Sequence, residues 1–102
     1  MAGYTGILQD LGSTTPIVGL YRIAQTLTPA SVAANTSAEQ TFTVPGLAVG
    51  DSIDVNKASH QVGLSIGNVR VSAANTLAIQ FVNTTGGAIV PTSEQYIIGG
   101  QR

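Results

Sequence analysis

Val69-Arg70-Val71-Ser72-Ala73-Ala74-Asn75-Thr76-Leu77-Ala78-Ile79-Gln80-Phe81 is the stretch on which the fold turns. Val69 and Val71 alternate with Arg70 and Ser72. Leu77, Ile79 and Phe81 alternate with Ala78 and Gln80. A period of two puts each apolar set on one face of a strand. Between the two sets the chain is short, and Asn75 tolerates the left-handed backbone that tight hairpin loops require. The stretch therefore predicts an antiparallel hairpin with one buried face.

The same texture continues upstream. Val62, Leu64 and Ile66 alternate across Gly63 and Ser65, and the phase breaks at Gly67-Asn68, which predicts a bulge or tight turn. Asp51 to Asn56 alternates with Ile53 and Val55 on one face, after a turn at Gly50-Asp51 and before a loop at Lys57-Ala58-Ser59-His60. In Glu39 to Val44, Phe42 and Val44 point in while Thr41 and Thr43 point out, and Pro45-Gly46 ends the run. Val18 to Ile23 and Gln25 to Thr28 read as strand before Pro29. Ser31-Val32-Ala33 reads as a short edge strand before a turn at 34–37. Downstream, Asn83 to Gly87 is a turn, Ile89-Val90-Pro91 and Tyr96-Ile97-Ile98 are the last strands, and Gly99 to Arg102 is a tail. Short strands with turn signals every eight to twelve residues or so predict an all-β chain, a single small antiparallel β-sandwich or barrel. The order of strands in the sheets does not follow from the pattern.

The first 17 residues differ from the rest. Gly3, Gly6, Gly12 and Pro16 punctuate them, and Ile7, Leu8 and Leu11 make one helical turn at most. They predict an extended N-terminal arm, residues 1–17, ahead of a β domain at 18–102. The arm's apolar side chains, Tyr4, Ile7, Leu8, Leu11 and Ile17, pack under the domain or onto a neighbour, and are the candidate interaction residues.

The 102 residues suffice for one domain. Charged residues make up 9% of the chain, against about 25% in ordinary soluble domains. Aromatic residues make up 5%, so the core rests on Val, Ile, Leu and Ala. A surface with few ions has little like-charge repulsion to oppose association, and hydroxyls and amides lose less on desolvation than ions do. Both points predict a surface built to be covered. The cations Arg22, Lys57, Arg70 and Arg102 form no cluster, so a nucleic-acid backbone has no footprint here. No apolar run approaches the roughly 20 residues of a membrane helix. Met1 to Gly6 has none of the features of a secretory signal.

Reactive chemistry is hard to assemble from these residues. There is no Cys, and His60 is the single histidine, in a polar loop. A zinc site needs three or four protein ligands, and a nucleophile–His–acid arrangement would have to use His60. Asp51 and Asp54 are an odd number of residues apart, so on a strand they face opposite ways. Asp51 reads as a turn-stabilising side chain, and Glu39 and Glu94 as solvated. No nucleophile elbow, phosphate-binding loop or calcium loop occurs. The expectation is a protein with no catalytic residues, no cofactor and no metal. Asn35-Thr36-Ser37 and Asn83-Thr84-Thr85 match a glycosylation pattern but read as turns.

Beyond texture, Ser31 to Tyr96 carries a resemblance. Its pieces are Ala33, Glu39-Gln40, Phe42-Thr43-Val44, Gly46-Leu47, Gly50-Asp51, Val55, Lys57, Gly63-Leu64, Arg70-Val71-Ser72-Ala73, Asn75-Thr76-Leu77, Phe81, Asn83, Thr85, Pro91-Thr92 and Tyr96. This resembles small β-rich virion structural proteins of tailed bacteriophages, including head decoration (cement) proteins. The resemblance implies a virion structural component. Taken with the low charge, the missing reactive site and the arm, it leads to the expectation of a head decoration protein on the outer capsid surface that binds the major capsid protein and itself, as a homotrimer, and stabilises the head by bridging capsid subunits. It carries over no catalytic residue. The rival expectation is a tail or fibre β module that binds a host-surface glycan; the scarcity of aromatic side chains counts against it.

Overall fold

A computed structural model describes residues 19–102 of the chain. Six strands follow one another: β1 (Leu20–Leu27), β2 (Thr36–Thr43), β3 (Ser52–Lys57), β4 (Leu64–Ala73), β5 (Thr76–Asn83) and β6 (Glu94–Gln101). They form two three-stranded sheets, ordered β1-β6-β3 and β2-β5-β4, and every pairing is antiparallel. The described residues are a β-sandwich, in which β6 and β5 are the central strands. The residues of the arm, 1–17, lie outside the described residues.

The alternation seen in the sequence sets which side chains face inward. From β5 come Leu77, Ile79 and Phe81, and from β6 Tyr96 and Ile98, all with no exposed surface. Leu27, Val32, Val44, Leu47 and Val71 close the core around them. Tyr21, Ile23, Phe42, Ile53, Val55, Leu64, Ile66 and Val69 line its margins from the four edge strands. β5 is covered on both faces along most of its length, whereas β6 buries Tyr96 and Ile98 and leaves Gln95 and Gln101 exposed and Ile97 half-exposed on its outer face, and the edge strands are half-covered.

The hairpin forms as expected. β4 and β5 are joined through Ala74 and Asn75, the latter at φ 58°. The register slips between Ile66 and Asn68, where the broken phase predicted a bulge, and again between Val71 and Ala73. Asn75 holds the hairpin to the loop after β2. Its N–H donates to Leu47 O (2.8 Å), its O accepts from Val44 N–H (2.9 Å), and its Oδ1 accepts from Gly46 N–H (2.8 Å).

Four expectations need correcting. Val62 is exposed in the loop before β4, because Gly63 at φ +82° turns the chain there. Ser31 to Ala33 and Ile89 to Pro91 are not strands; they meet only at one bridge, Val32 to Ile89. Residues 36 and 37, read as turn, begin β2. Gly99 and Gly100 are not a tail: they continue β6 as its third and second residues from the end. The glycines fit there because large side chains cross them. A Cβ on Gly100 would run into the Tyr21 ring, its registered neighbour on β1. An aromatic lying over a strand glycine restores the packing the glycine lacks.

Candidate interaction surfaces

The end of the sandwich where β1 begins is closed by one carboxylate. Asp51 sits just before β3, its side chain only 2% exposed. Arg102 grips it in fork geometry, Nε–H to Oδ1 at 3.0 Å and Nη2–H to Oδ2 at 2.8 Å. Tyr21 Oη–H (2.7 Å) and Ala48 N–H (3.0 Å) donate to Oδ2 as well. With all these donors favouring the ionised form, the Arg102 guanidinium first and Tyr21 next, the carboxyl is held at about 2, below its ordinary 3.8. The Tyr21 hydroxyl is pushed up, by burial and then by its bond to Asp51. The expected turn bond is present, between Ala48 and Asp51, but Asp51 does more than close a turn: it ties β1, the β2–β3 loop and the chain after β6 together.

The opposite end carries a second polar cluster. Lys57 Nζ lies 3.0 Å from Glu94 Oε2, and donates to Ser59 O (2.9 Å) and Ser59 Oγ (3.1 Å). Ser59 Oγ–H donates to Glu94 Oε2 at 2.7 Å. Glu94 is therefore not solvated as expected; its side chain is 15% exposed. Beside the cluster, a cavity of about 160 Å³ opens between the sheets, lined by Lys57, Ser59, His60, Gln61 and Ile66 over Phe81. A hydroxyl, an ammonium and a carboxylate in contact invite a nucleophilic reading. The bonding opposes it. The ammonium engages the oxygen that would attack, and the carboxylate that would take the proton is held below its ordinary range by Ser59 and then Lys57, which makes it a weak base. His60 is exposed on the rim.

Asn83, at the end of β5, is buried as a whole residue, 1% exposed. Its Nδ2 donates to Val32 O (3.1 Å) and Gly87 O (2.9 Å), and its Oδ1 accepts from Thr85 N–H (2.9 Å) and faces Thr85 Oγ1 (2.7 Å). The amide of this sequon is thus consumed inside the protein, as a turn-forming side chain. Asn35, at φ 51°, is exposed.

The outer faces of the two sheets differ. On β2-β5-β4, Arg70 reaches Glu39 in a two-pronged bridge, 2.9 Å from Nε to Oε2 and 2.8 Å from Nη2 to Oε1. It crosses β5 at Ala78, the registered neighbour of Arg70, which is fully buried beneath outward-facing neighbours. Glu39, expected to be solvated, is held below its ordinary range by that bridge. On β1-β6-β3 the outward side chains are Leu20, Arg22, Ala24 and Thr26, then Gln95, Ile97, Gly99 and Gln101, then Ser52, Asp54 and Asn56. Asp54 faces out and Asp51 in toward the sandwich end, so the two do not pair. Leu20 (55%), Val49 (69%), Val62 (81%) and Val90 (59%) are the exposed large apolar residues. Leu20 and Val49 lie at the Asp51 end, Val62 and Val90 in loops at the other.

The candidate interaction residues read from the sequence, Tyr4, Ile7, Leu8, Leu11 and Ile17, lie outside the described residues. Among the described residues no group of three or more His, Asp or Glu is placed to hold a metal ion, and no helix is long and apolar enough to cross a membrane. Sequence reading missed the Lys57–Ser59–Glu94 cluster and the buried Asn83. Nothing in residue spacing brings positions 57 and 94 together, since they meet through neighbouring strands whose order the pattern leaves open. No family model matches the chain. No curated protein matches it, and no solved structure does.

Proposed function

We propose that this protein is a bacteriophage head decoration protein: it sits on the outer capsid surface, contacts the major capsid protein and other copies of itself, and braces the shell against internal pressure. The reading rests on the resemblance of Ser31 to Tyr96 to virion proteins. One physical observation supports it. Most charged side chains of the described residues are spent on pairs within the chain, leaving faces of Thr, Ser, Asn and Gln. Such faces are bondable and cheap to desolvate, and suit a wide, wet interface. Each contact that forms only on the assembled shell stabilises that shell by mass action. Association as a homotrimer, with the arm 1–17 reaching a neighbour, belongs to the same proposal.

The aromatic inventory bears on the rival glycan-binding reading. Tyr96 and Phe81 are buried, Phe42 is half-buried against the core, and Tyr21 is packed across Gly100 and bonded to Asp51. A glycan platform needs an exposed ring, and the described strands offer none of these.

Quantitative mass spectrometry of intact purified particles tests the proposal. Hundreds of copies per particle are expected. A handful would place the protein in the tail or near the portal, and its absence from particles would end the virion reading. Removing residues 1–17 is expected to leave a folded domain that binds particles much more weakly; undiminished binding would refute the role given to the arm.

A further inference from the structure

The described residues hold four cations, Arg22, Lys57, Arg70 and Arg102, and four anions, Glu39, Asp51, Asp54 and Glu94. Three ion pairs take up Lys57 with Glu94, Arg70 with Glu39, and Arg102 with Asp51. One cation and one anion remain, Arg22 and Asp54. The register places them in a single row: Arg22 pairs with Gly99 on β6, and Gly99 pairs with Asp54 on β3. Both face outward on the same sheet, one strand to either side of a glycine. Asp54 leans over that glycine, since a Cβ there would lie 2.6 Å from Asp54 Oδ1. The other sheet closes its cation and anion into a bridge across β5; this one leaves them apart.

We infer that the outer face of β1-β6-β3 is a self-docking surface for a second copy of this chain, packed face to face about a two-fold axis that runs parallel to β6 above Gly99. Such an axis exchanges the two sides of the row. It sets Arg22 over the partner's Asp54 and Asp54 over the partner's Arg22, making two ion pairs from four charges that have no ion-pair partner among the described residues. A two-fold axis perpendicular to the strands would instead stack Arg22 on Arg22 and Asp54 on Asp54, and like charges in contact select against it. Stacked sheets lie about 10 Å apart and neighbouring strands about 4.8 Å, so an arginine side chain spans the gap. Along the axis Ile97 meets Ile97, an apolar contact, and beside it Gly99 leaves room under the Asp54 carboxylate that lies across it. That room is a hollow of about 410 Å³ bounded by Leu20, Ser52, Asp54, Gly99 and Gln101, into which the partner's long Arg22 side chain fits. Isologous packing of this kind needs one surface that is complementary to itself, and the row has that property.

The docking surface is independent of any capsid and coexists with a trimer, as a contact between trimers. Its test uses the isolated full-length protein, so failure here leaves decoration standing and failure of decoration leaves this contact standing. Sedimentation velocity over a concentration series reads the association. Arg22→Asp alone and Asp54→Arg alone are each expected to weaken the two-fold step at least about tenfold, since each sets like charges opposite. Two restorations are specific to the geometry. The double exchange R22D/D54R re-forms both pairs within one protein. Mixing the two single variants re-forms them between unlike partners, as a heterodimer seen by native mass spectrometry. Circular dichroism melts confirm that both single variants fold, which exposed positions predict. Wild-type protein with no concentration-dependent association, or single variants that associate as wild type does, would overturn the inference. So would single variants that are weakened but not rescued by the double exchange or by mixing.

Discussion

Replacing Asn83 by Ala should cost this protein about 3 kcal/mol. The side chain makes two bonds through Nδ2, to Val32 O and Gly87 O, and accepts the Thr85 N–H at Oδ1. Each neutral bond contributes about 1 kcal/mol net, and a buried donor left without a partner costs about 1–3 kcal/mol. The neighbourhood limits the damage. Val32 O also accepts from Ile89 N–H (3.0 Å), and Gly87 O also accepts from Thr85 Oγ1–H (2.8 Å), so both carbonyls keep a partner. Only the Thr85 N–H is orphaned. Three lost bonds with one partly exposed orphan give the figure of about 3 kcal/mol. For a domain of this size that is a fall in Tm of about 12–24 °C. Urea unfolding measures it, through a lower midpoint at unchanged slope. A loss under about 1 kcal/mol would refute the claim that this amide anchors the loops at this end.

The aspartate isostere sharpens the same experiment. Asn83→Asp keeps the shape but puts a carboxylate oxygen against two carbonyls. Burial and the lost donors raise its folded pKa above the unfolded value of about 3.9. The folded state then binds the extra proton more readily, so stability falls as pH rises from the unfolded value through the raised one. The variant should therefore lie furthest below wild type at neutral pH and recover toward pH 4. A pH-independent gap would mean that the carboxylate is hydrated and the site is not buried.

Acid should expose the other anchor. Asp51 is held at about 2 against an ordinary 3.8, so its contribution is complete above the ordinary value and lost as pH falls through about 2. Asp51→Asn should be less stable than wild type at neutral pH and show a flatter acid limb between those values; carbon-detected NMR titration of the carboxyl checks the shift directly. Gly100→Val should destabilise by about 1–3 kcal/mol through overpacking, because its Cβ meets the Tyr21 ring. The cost should shrink in the Tyr21→Ala background, a coupling that a double-mutant cycle of thermal melts reads. Phe81→Ala, at a fully buried position of the central strand, should cost about 3–5 kcal/mol, measured by chemical unfolding.

The residues that a reader of the sequence places correctly are those whose role is local. Alternation in 76–83 and around Phe42 requires only that one face be wet and the other dry, and the hairpin at Asn75 requires only a left-handed residue. The bulge at 67–68 is legible because a bulge is a local fault in period. What escapes is everything that depends on which strands become neighbours. Gly99 and Gly100 look like a tail because a strand glycine is unfavourable by itself; they belong to a central strand because Tyr21 and Asp54, far away in sequence, lie across them. Lys57 and Glu94 look like isolated surface ions for the same reason. The Arg22–Gly99–Asp54 row on which the self-docking surface depends joins three strands, and no spacing within one strand hints at it.

The abundance of amides has a second consequence for function. Read along the chain, Gln, Asn and Thr suggest a surface waiting for a partner. In the fold, several amides are already occupied by the protein's own backbone. Gln40 gives Nε2–H to Ala30 O (2.9 Å) and takes Ala30 N–H at Oε1 (2.8 Å). Gln61 does likewise with Val90 O (3.0 Å) and Thr92 N–H (2.8 Å), and Gln25 donates to Thr43 O (2.7 Å) between the two sheets. These side chains stand in for ladder bonds that irregular segments lack, beside edge strands that other proteins guard with lysine. A chain that spends its amides on itself has fewer left for a partner. The surface free to be covered is then narrower than composition suggests, and on the β1-β6-β3 sheet it is the outer face with the row Arg22, Gly99 and Asp54 across it. If copies of this protein meet through a sheet face, these two charges, without an ion-pair partner among the described residues, make that the face to mutate first.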